Sequence, residues 1–295
     1  MRFGIMTMQK GVLIPAATST ADALAALTRM DHVAIARRLF EAGFNPIELS
    51  GDMVLFFPQS LGPDAVEGLA ALKQETGLSY SVHLPLWSVE PSTLLGPVRQ
   101  GSVRALIECV RATLPLEPEV YVLHATGALA AEFYRMSLPA LAQGFVLRQF
   151  QAAGGESIRT LLAETGLPGR RLAVETIEFP LELTLELAEQ LDLSICLDTG
   201  HIMAGFSSRA DLFEVLELVL PRLAEVHLHD APQWRAGQPP GYGTDHRPLG
   251  CGELDHVRLL DRLAEAGFDG PVILELTVEE ALASLEAIRM ARGRT

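Results

Sequence analysis

The chain has 295 residues, of which 48% are hydrophobic and 20% are charged, and its formal net charge is −14 at pH 7. This length and composition allow one large buried core, and the acidic balance argues against the broad basic surface that supplies most non-specific nucleic-acid affinity. We therefore predict one domain over residues 1–295 and a small-molecule substrate, with no nucleic-acid partner.

The cysteines and the short apolar segments indicate the cellular compartment of the protein. Cys109, Cys196 and Cys251 are odd in number and widely spaced, so they indicate neither a disulfide framework nor a cysteine-rich zinc site. No apolar run approaches the roughly 18 residues of a membrane span, and the N-terminal apolar patch is shorter than a secretory signal. We predict a cytoplasmic protein without a membrane partner.

The apolar pattern predicts eight short strands that alternate with helices along the chain. In chain order the strands are Phe3–Met6, Pro46–Ser50, Ser81–His83, Glu119–His124, Arg171–Thr176, Leu193–Asp198, Ala224–His229 and Val272–Glu275. A loop with Gly11 and Pro15 follows the first strand, and a loop rich in glycine and proline runs over residues 231–252. Long loops inside a compact domain are often functional, and we predict that the second one is, because it contains Asp245 and His246.

Helical spacing of apolar residues predicts a helix after almost every strand. The predicted helices are Asp31–Ala42, one from Pro63 that stops at Gly77, Val98–Leu114, Leu181–Leu191 and Asp211–Leu220. Residues 128–165 exceed what one barrel helix needs, so Gly154-Gly155 predicts a break between two helices in series. Ser207-Ser208 are predicted to cap the helix that follows them, and Thr277 with Glu280 forms a predicted capping box for the final helix.

A short motif repeats before the second and eighth strands. Glu41-Ala42-Gly43-Phe44 recurs as Glu265-Ala266-Gly267-Phe268, and each copy precedes an apolar run that ends in glutamate-leucine. Together with the eight-fold alternation, this repeat predicts a single (β/α)8 TIM barrel. The rival architecture, an open doubly wound sheet, would gather its site at one switch point. Metal-ligand residue types at the ends of at least six strands favour the closed barrel.

Histidines and carboxylates end these strands or closely follow them. The candidates are His83, His124, Glu175, Asp198, His201, His227, His246 and Glu275. Imidazole nitrogens and carboxylate oxygens are the donors that zinc, manganese and iron use where thiolates are absent. The set exceeds the four to six donors of one ion, so the sequence predicts more than one metal.

The context of these residues resembles the xylose-isomerase-like barrel superfamily and, within it, the type 2 apurinic endonucleases with three zinc ions. The segments that carry the resemblance are Val82–Pro85, Leu123–Gly127, Val174-Glu175, Leu197–His201, Val226–Asp230, His246–Gly252 and Leu274-Glu275. The resemblance covers most of the chain. It implies the same barrel fold and two or three Zn²⁺ ions, with Mn²⁺ or Mg²⁺ as the alternative.

Carried over residue by residue, the resemblance implies three metal positions. His83, His124 and a bridging Glu175 would bind the first ion; Glu175, Asp198, His227 and Glu275 would bind the second; and His201 with His246 would bind the third. The endonucleases have an aspartate two places before the histidine matched by His246, where this chain has Thr244. Asp245 stands one residue along and is the candidate replacement. Glu175, Glu275 and His201 are the predicted catalytic residues.

Three classes of function follow from this donor set. The first is a multinuclear zinc phosphodiesterase, because clustered cations activate water and stabilise phosphate oxygens. The resemblance adds a cobamide nucleotide loop as a candidate substrate, for which the loop over residues 50–58 could form an apolar floor. The second class is a one-metal sugar isomerase or epimerase, in which His83, His124 and His246 would have no role. The third is a metal-stabilised binding protein without turnover.

Residues of the loops after the strands are the predicted substrate contacts. They are Trp87, Asp230, Trp234, Arg235 and Arg247. The alternatives are loop packing for the two tryptophans and an ion pair between Asp230 and Arg235. Glu48 and Glu178 are each expected to hydrogen-bond to a ligand histidine and hold it in place. His229 is not expected to bind a metal. His32 and His256, at helix starts, are expected to be solvated.

Overall fold

The computed structural model describes residues 1–8, 19 and 30–292. Eight parallel strands close into one barrel in chain order, with the last strand hydrogen-bonded to the first. The strands are β1 Arg2–Met6, β2 Ile47–Ser50, β3 Tyr80–His83, β4 Tyr121–Leu123, β5 Leu172–Glu175, β6 Ser194–Asp198, β7 Leu223–His227 and β8 Pro271–Leu274. This closure confirms the (β/α)8 barrel and excludes the open doubly wound sheet.

Helices surround the barrel and connect its strands. Within the described residues the α-helices are α1 His32–Glu41, α2 Met53–Phe56, α3 Pro63–Thr76, α4 Gly96–Thr113, α5 Ala128–Arg135, α6 Ala140–Thr165, α7 Leu181–Gln190, α8 Thr199–Met203, α9 Leu212–Val219, α10 His256–Glu265 and α11 Val278–Arg292. Short 3₁₀ helices lie at Pro58–Leu61, Leu114–Leu116, Gly169–Arg171 and Leu220–Arg222. Over the described ranges, no helix has the length and apolarity needed to span a membrane.

The core forms because the strands are short apolar runs that are covered on both sides. All residues of β2, β3, β5, β6 and β8 are buried. Helices cover the outside, as α1 does by burying Ile35, Ala36 and Leu39. A fully buried side chain of the size of leucine contributes about 1.5–3 kcal/mol relative to an exposed one. The same apolar pattern therefore encodes the strands and drives their closure into a barrel.

Strand register aligns the functional residue types at one end of the barrel. His83 pairs with Ser50 on one side and with Val122 on the other, and Asp198 pairs with His227. All eight strands run in the same direction, so their C-terminal residues and the loops that follow them share one rim. In barrels of this architecture that rim carries the chemistry.

The long segment after β4 differs from the sequence prediction. It does contain two helices in series, but the break lies at residues 136–139, and Gly154 and Gly155 are inside α6. A Cβ atom on Gly154 would lie 2.6 Å from the carbonyl oxygen of Ala125, and one on Gly155 would lie 3.1 Å from Leu187 Cδ1. These glycines permit close packing of α6 on its neighbours, so they do not break the helix.

Two predicted helix caps have different outcomes. The prediction that Ser207-Ser208 cap α9 is wrong, because the side chain of Asp211 accepts the N–H of Phe213 instead. The carbonyl of Ser207 accepts the N–H of Leu181, which ties that turn to α7. The capping box before α11 is confirmed: Thr277 N–H donates to the Glu280 carboxylate at 3.1 Å, and Glu280 N–H donates to Thr277 Oγ1 at 3.3 Å.

The predicted solvation of the helix-start histidines is wrong for His32 and holds only in part for His256. His32 is 2% exposed, and its Nδ1 lies 2.8 Å from the carbonyl oxygen of Ser60, to which it donates. Its Nε2 lies 3.3 Å from Thr7 Oγ1. His256 is half-buried. Burial lowers the pKa of His32 below its ordinary value, and this effect outweighs the hydrogen bond to Ser60, which raises the pKa. The predicted loop at Gly11 and Pro15 lies outside the described residues.

We predict opposite effects for two glycine-to-alanine changes in α6. Gly144→Ala has open space around the new Cβ, so the free energy of unfolding should rise by about 0.5–1 kcal/mol. Gly154→Ala meets the Ala125 carbonyl, so the free energy of unfolding should fall by about 1–3 kcal/mol. Urea denaturation measures both, and equal effects of the two changes would contradict the packing role of Gly154.

We also predict that His32 makes stability fall with acid. Because the folded pKa lies below the unfolded value of about 6.5, the contribution is complete above that value and is lost as the pH falls towards the folded pKa. Between about pH 8 and about pH 5, His32→Gln should therefore lose less unfolding free energy than the unmodified protein. A His32→Gln protein whose unfolding free energy depends on pH as steeply as that of the unmodified protein would contradict this origin.

Candidate metal centre

The rim of the barrel brings the predicted ligands into overlapping groups. In each group the ligand atoms lie within 4.8 Å of one another. The groups are His83–His124–Glu175, Glu175–Asp198–His227, Asp198–His229–Glu275, His201–His229–His246 and Glu48–Glu225–His227. Residues far apart in the chain therefore converge, as the strand-end pattern predicts. The structure also adds His229, Glu48 and Glu225 to the neighbourhood.

The first donor group joins the ends of β3, β4 and β5. Nε2 of His83 lies 3.1 Å, and Nε2 of His124 lies 2.8 Å, from the same oxygen, Oε2 of Glu175. Nδ1 of His83 lies 2.9 Å from the carbonyl oxygen of Leu84, to which it donates, so Nε2 is the nitrogen available to a ligand. Burial lowers the pKa of His83, but its hydrogen bond to Glu175 and the charge of Glu175 raise it to about 9. A divalent cation bound here would replace the protons that this geometry attracts.

The second donor group surrounds Nδ1 of His227. This nitrogen lies 3.5 Å from Glu175 Oε1, 4.0 Å from Asp198 Oδ2 and 3.4 Å from Glu275 Oε1. Ligand atoms about 2.1 Å from one tetrahedral ion are separated by about 3.4 Å, so the distances to Glu175 and Glu275 fit a shared cation, and the distance to Asp198 is longer. Within the part of the chain that the structure describes, Nδ1 of this fully buried histidine has no hydrogen-bond partner. The orphaned nitrogen and the three carboxylates are the donor set that a divalent ion needs.

Glu175 links the first two groups. Its Oε2 faces His83 and His124, whereas its Oε1 faces His227. Burial raises the pKa of Glu175, but the charges of His124 and His227 outweigh it and hold the pKa well below its ordinary value. The side chain is 2% exposed. The carboxylate is therefore ionised, buried and positioned to bridge two cations.

The third donor group consists of His201, His246 and Asp245 and lies at the outer side of the rim. Nδ1 of His201 donates to the carbonyl oxygen of Thr176 at 3.2 Å, and its Nε2 lies 3.8 Å from Asp245 Oδ2. Nδ1 of His246 lies 2.8 Å from the same Asp245 oxygen, and its Nε2 lies 3.2 Å from Glu275 Oε2. Burial lowers the pKa of His246, but its hydrogen bonds to Asp245 and Glu275 raise it to about 11. Asp245 thus reaches both histidines although it stands one residue away from the family position.

His229 positions Asp198. Its Nδ1 accepts the backbone N–H of His246 at 2.9 Å, so its proton is on Nε2. That Nε2 lies 2.9 Å from Asp198 Oδ2, to which it donates. Both ring nitrogens are therefore in use, and the imidazole holds the carboxylate from behind. The sequence signal was the two-residue spacing from His227, which places both side chains on one face of the chain.

Two buried carboxylates lie beneath His227 inside the barrel. Nε2 of His227 is 3.4 Å from Glu48 Oε1 and 3.7 Å from Glu225 Oε1, and all three side chains are fully buried. Burial, together with the charge of Glu48, raises the pKa of Glu225 to about 8. Within the described residues Nε2 of His227, like Nδ1, has no hydrogen-bond partner. With its proton on Nε2, towards these carboxylates, the ring would keep the lone pair of Nδ1 for the second group. Glu48 lies beside His227 without a hydrogen bond to it in the described part of the chain, so its support of a histidine stays a prediction. Glu225 could have been found from its two-residue spacing to His227.

The substrate contact predicted for Asp230 is wrong. This carboxylate is fully buried and turned into the loop after β7, where it accepts four backbone N–H groups. The donors are Ala231, Gly250, Gly252 and Leu254. The alternative pairing is wrong as well, because Arg235 pairs with Glu253 at 2.9 Å. Asp230 holds the two ends of the long loop together.

The other predicted contacts divide between loop packing and the cleft. Nε1 of Trp234 donates to the carbonyl oxygen of Gln238, and its ring lies against Gly205, where a Cβ would meet Trp234 Cγ at 2.7 Å. The backbone of Arg247 pairs with Asp230 across the loop. Trp87 alone of the five predicted contacts lines a cavity beside the donor groups.

This cavity has a volume of about 380 Å³ and lies beside the first and third donor groups. His124 and His201 form part of its wall, together with Trp87, Phe206 and the ion pair of Arg135 with Glu178. Neither Phe206 nor Arg135 stands at a strand end, so the strand-end pattern of the sequence does not point to them. The cavity is within the size range of small-molecule pockets.

Comparisons with known proteins agree on the fold and differ in activity. Residues 36–293 match the family described as xylose isomerase-like TIM barrel. The uncharacterized protein MJ1311 of Methanocaldococcus jannaschii is 23% identical over 233 residues, which cover 78% of this chain and 75% of the relative. A D-tagatose 3-epimerase-like protein superposes with a TM-score of 0.70 at 19% identity, over 98% of this chain and 96% of the other. Endonuclease IV from Thermus thermophilus superposes with a TM-score of 0.67 at 20% identity, over 100% of both chains.

We predict that Glu175→Gln lowers the metal content by more than His246→Ala does. Glu175 offers one oxygen to each of two donor groups, whereas His246 belongs to the third group. The glutamine change should therefore remove two ions per chain and the alanine change at most one. Plasma mass spectrometry of protein purified with zinc measures the difference.

Glu253→Gln is the matched control, because Glu253 is a partly exposed carboxylate paired with Arg235 on the long loop. It should retain the full metal content. A Glu175→Gln protein that folds, by circular dichroism, and keeps as many ions as this control would contradict the bridging geometry.

Proposed function

Because the chain belongs to the xylose isomerase-like TIM barrel family, we propose that it is a metal-dependent hydrolase that cleaves a phosphodiester in a small organic molecule. The carrying observation is that the two oxygens of Glu175 face two different donor groups. One oxygen faces His83 and His124, and the other faces His227. A carboxylate that shuttles protons on a bound sugar needs a free oxygen turned to the substrate, whereas a carboxylate that bridges two cations needs neither oxygen free.

Zn²⁺ is the cation that best suits this donor set, since the groups mix imidazoles with carboxylates and contain no thiolate. His83, His124 and Glu175 would hold the first ion, and Glu175 would share the second with His227 and two further carboxylates. Those carboxylates are Asp198 and Glu275. Bound cations would supply positive charge that lowers the pKa of nearby water and stabilises anionic phosphate oxygens.

The rim is negatively charged, so the side chains alone would repel an anionic phosphodiester. Glu175, Asp198, Asp245 and Glu275 put four carboxylates around one cleft. A phosphodiester would be repelled by them unless their charge is compensated. His201, whose Nδ1 donates to the Thr176 carbonyl, lines the cavity, where Nε2 can bind a cation or exchange a proton with the substrate.

Glu275 has the same dual arrangement at the other side of the cleft. Its Oε1 lies 3.4 Å from His227 Nδ1, and its Oε2 lies 3.2 Å from His246 Nε2. Burial raises the pKa of Glu275, but the charge of His227 and the hydrogen bond to His246 hold it far below its ordinary value. Glu275 therefore stays ionised and joins the second group to the third. Both predicted catalytic glutamates act by positioning charge around the substrate.

A one-metal sugar isomerase or epimerase is the second candidate. Glu175, Asp198 and His227 form one donor group, and Glu275 Oε1 lies 3.4 Å from His227 Nδ1. These four side chains could bind one Mn²⁺ or Mg²⁺, which favours that reaction. In that reaction Glu175 would have to transfer a proton, yet its Oε2 is already in contact with His83 and His124. The hydrolase uses every member of the rim and is therefore preferred.

We predict that the zinc-loaded protein hydrolyses bis(p-nitrophenyl) phosphate. Glu175→Gln should lower kcat/KM by about a hundredfold or more, because the change disturbs two donor groups at once. Release of p-nitrophenolate measures the rate, and Glu253→Gln should retain it. A cobamide and an oligonucleotide with an abasic site extend the panel.

Loss of all diester hydrolysis across this panel, together with epimerisation of a ketose by protein carrying one Mn²⁺, would contradict the proposal in favour of the isomerase. A protein with full metal content that turns over neither substrate class would contradict both candidates and leave a binding protein.

A further inference from the structure

We propose that the cavity beside the donor groups binds a planar heteroaromatic ring, so that the substrate is a nucleotide-like phosphodiester. This inference rests on the proposed hydrolase function and names its substrate class. The cavity of about 380 Å³ is lined by His124 from the first donor group and by His201 from the third. If a ring binds in this cavity, a phosphodiester attached to the ring would lie within reach of the first and third donor groups.

Two aromatic side chains from distant loops line this cavity. Trp87, in the loop after β3, is 58% exposed, and its indole meets the ring of Phe56 edge-on at 6.0 Å. Phe206, after α8, is buried, and the ring of Tyr242 stacks on it at 4.9 Å with an interplanar angle of 22°. The faces of such side chains favour flat apolar partners. An exposed indole at the mouth of a cavity is therefore a ready stacking surface for a ring.

The polar part of the wall consists of an ion pair. Arg135 and Glu178 pair with each other, and the Arg135 guanidinium also lies 4.7 Å above the Tyr242 ring. The two charges compensate each other, so this wall offers donors and acceptors without attracting an anion. The edge of a heterocycle, which carries both donors and acceptors, matches such a pair.

The apolar part of the wall disfavours a carbohydrate in this position. Ile177 and Ala131 line the cavity alongside Trp87 and Phe206. A sugar carries hydroxyl groups around its whole ring, and those facing apolar side chains would lose their hydrogen bonds to water. A flat base presents two apolar faces and a polar edge, so its chemistry agrees with the wall on every side.

The test compares adenosine 5′-monophosphate with ribose 5-phosphate on the zinc-loaded protein. The two share ribose and phosphate, and the nucleotide carries a base where ribose 5-phosphate carries an anomeric hydroxyl. Isothermal titration calorimetry should give about tenfold tighter binding of the nucleotide, since stacking on aromatic side chains contributes that much per base. Trp87→Ala and Phe206→Leu should each reduce this preference without weakening ribose 5-phosphate. Leu95→Ala, an exposed apolar residue outside the cavity wall, is the matched control.

A second measurement follows Trp87 directly. The chain has two tryptophans and four tyrosines, and in Trp234→Phe the indole of Trp87 can be excited selectively over the tyrosines. Adenosine 5′-monophosphate should quench its fluorescence, and ribose 5-phosphate should not.

Equal affinities for the two phosphates, or a preference that both cavity variants retain, would overturn the ring site even if diesters are hydrolysed. A base preference that disappears in Trp87→Ala supports the ring site even if no diester is cleaved, and in that case the hydrolase proposal alone fails.

Discussion

Glu175 places a buried carboxylate between the ends of neighbouring strands, and both of its oxygens need positive charge. An ionised carboxylate without such compensation would cost several kcal/mol in a site that is 2% exposed. His83 and His124 converge on one oxygen and His227 approaches the other. The rest of the rim follows from this constraint, because every further carboxylate brought to the mouth raises the demand for cations.

A layer of fixed hydrogen bonds behind the rim decides which way the imidazoles face. The Leu84 carbonyl orients His83, the Thr176 carbonyl orients His201, and the backbone N–H of His246 orients His229. In His83 and His201 this contact occupies Nδ1 and leaves Nε2 for a ligand, whereas in His229 the remaining nitrogen, Nε2, donates to Asp198. The lone pairs of His83 and His201 are thus already oriented, which reduces the reorganisation needed when a cation binds.

Much of this arrangement can be predicted from the sequence, because a strand end and the residue type at that end are local features. His83, Glu175 and Asp198 end short apolar runs, and parallel register alone brings them to one rim. The sequence does not predict that His227 and His229 have different roles. They depend on the N–H of His246 from a distant loop, which uses the second nitrogen of His229.

Loop residues were the least predictable for a related reason. Asp230 resembles a substrate ligand in sequence, but its neighbours Gly250 and Gly252 turn their N–H groups towards it and bury it. Gly154 resembles a helix breaker, but the approach of α6 to the Ala125 carbonyl requires a residue without a side chain. In both cases the deciding contact joins segments that no local pattern connects.

Anomalous diffraction at the zinc edge from crystals grown with zinc tests the central claim most directly. The account predicts at least two peaks, one on each side of the Glu175 carboxylate, each about 2.0–2.2 Å from one of its oxygens. One peak shared by both oxygens, or peaks that leave Glu175 without a metal, would contradict it.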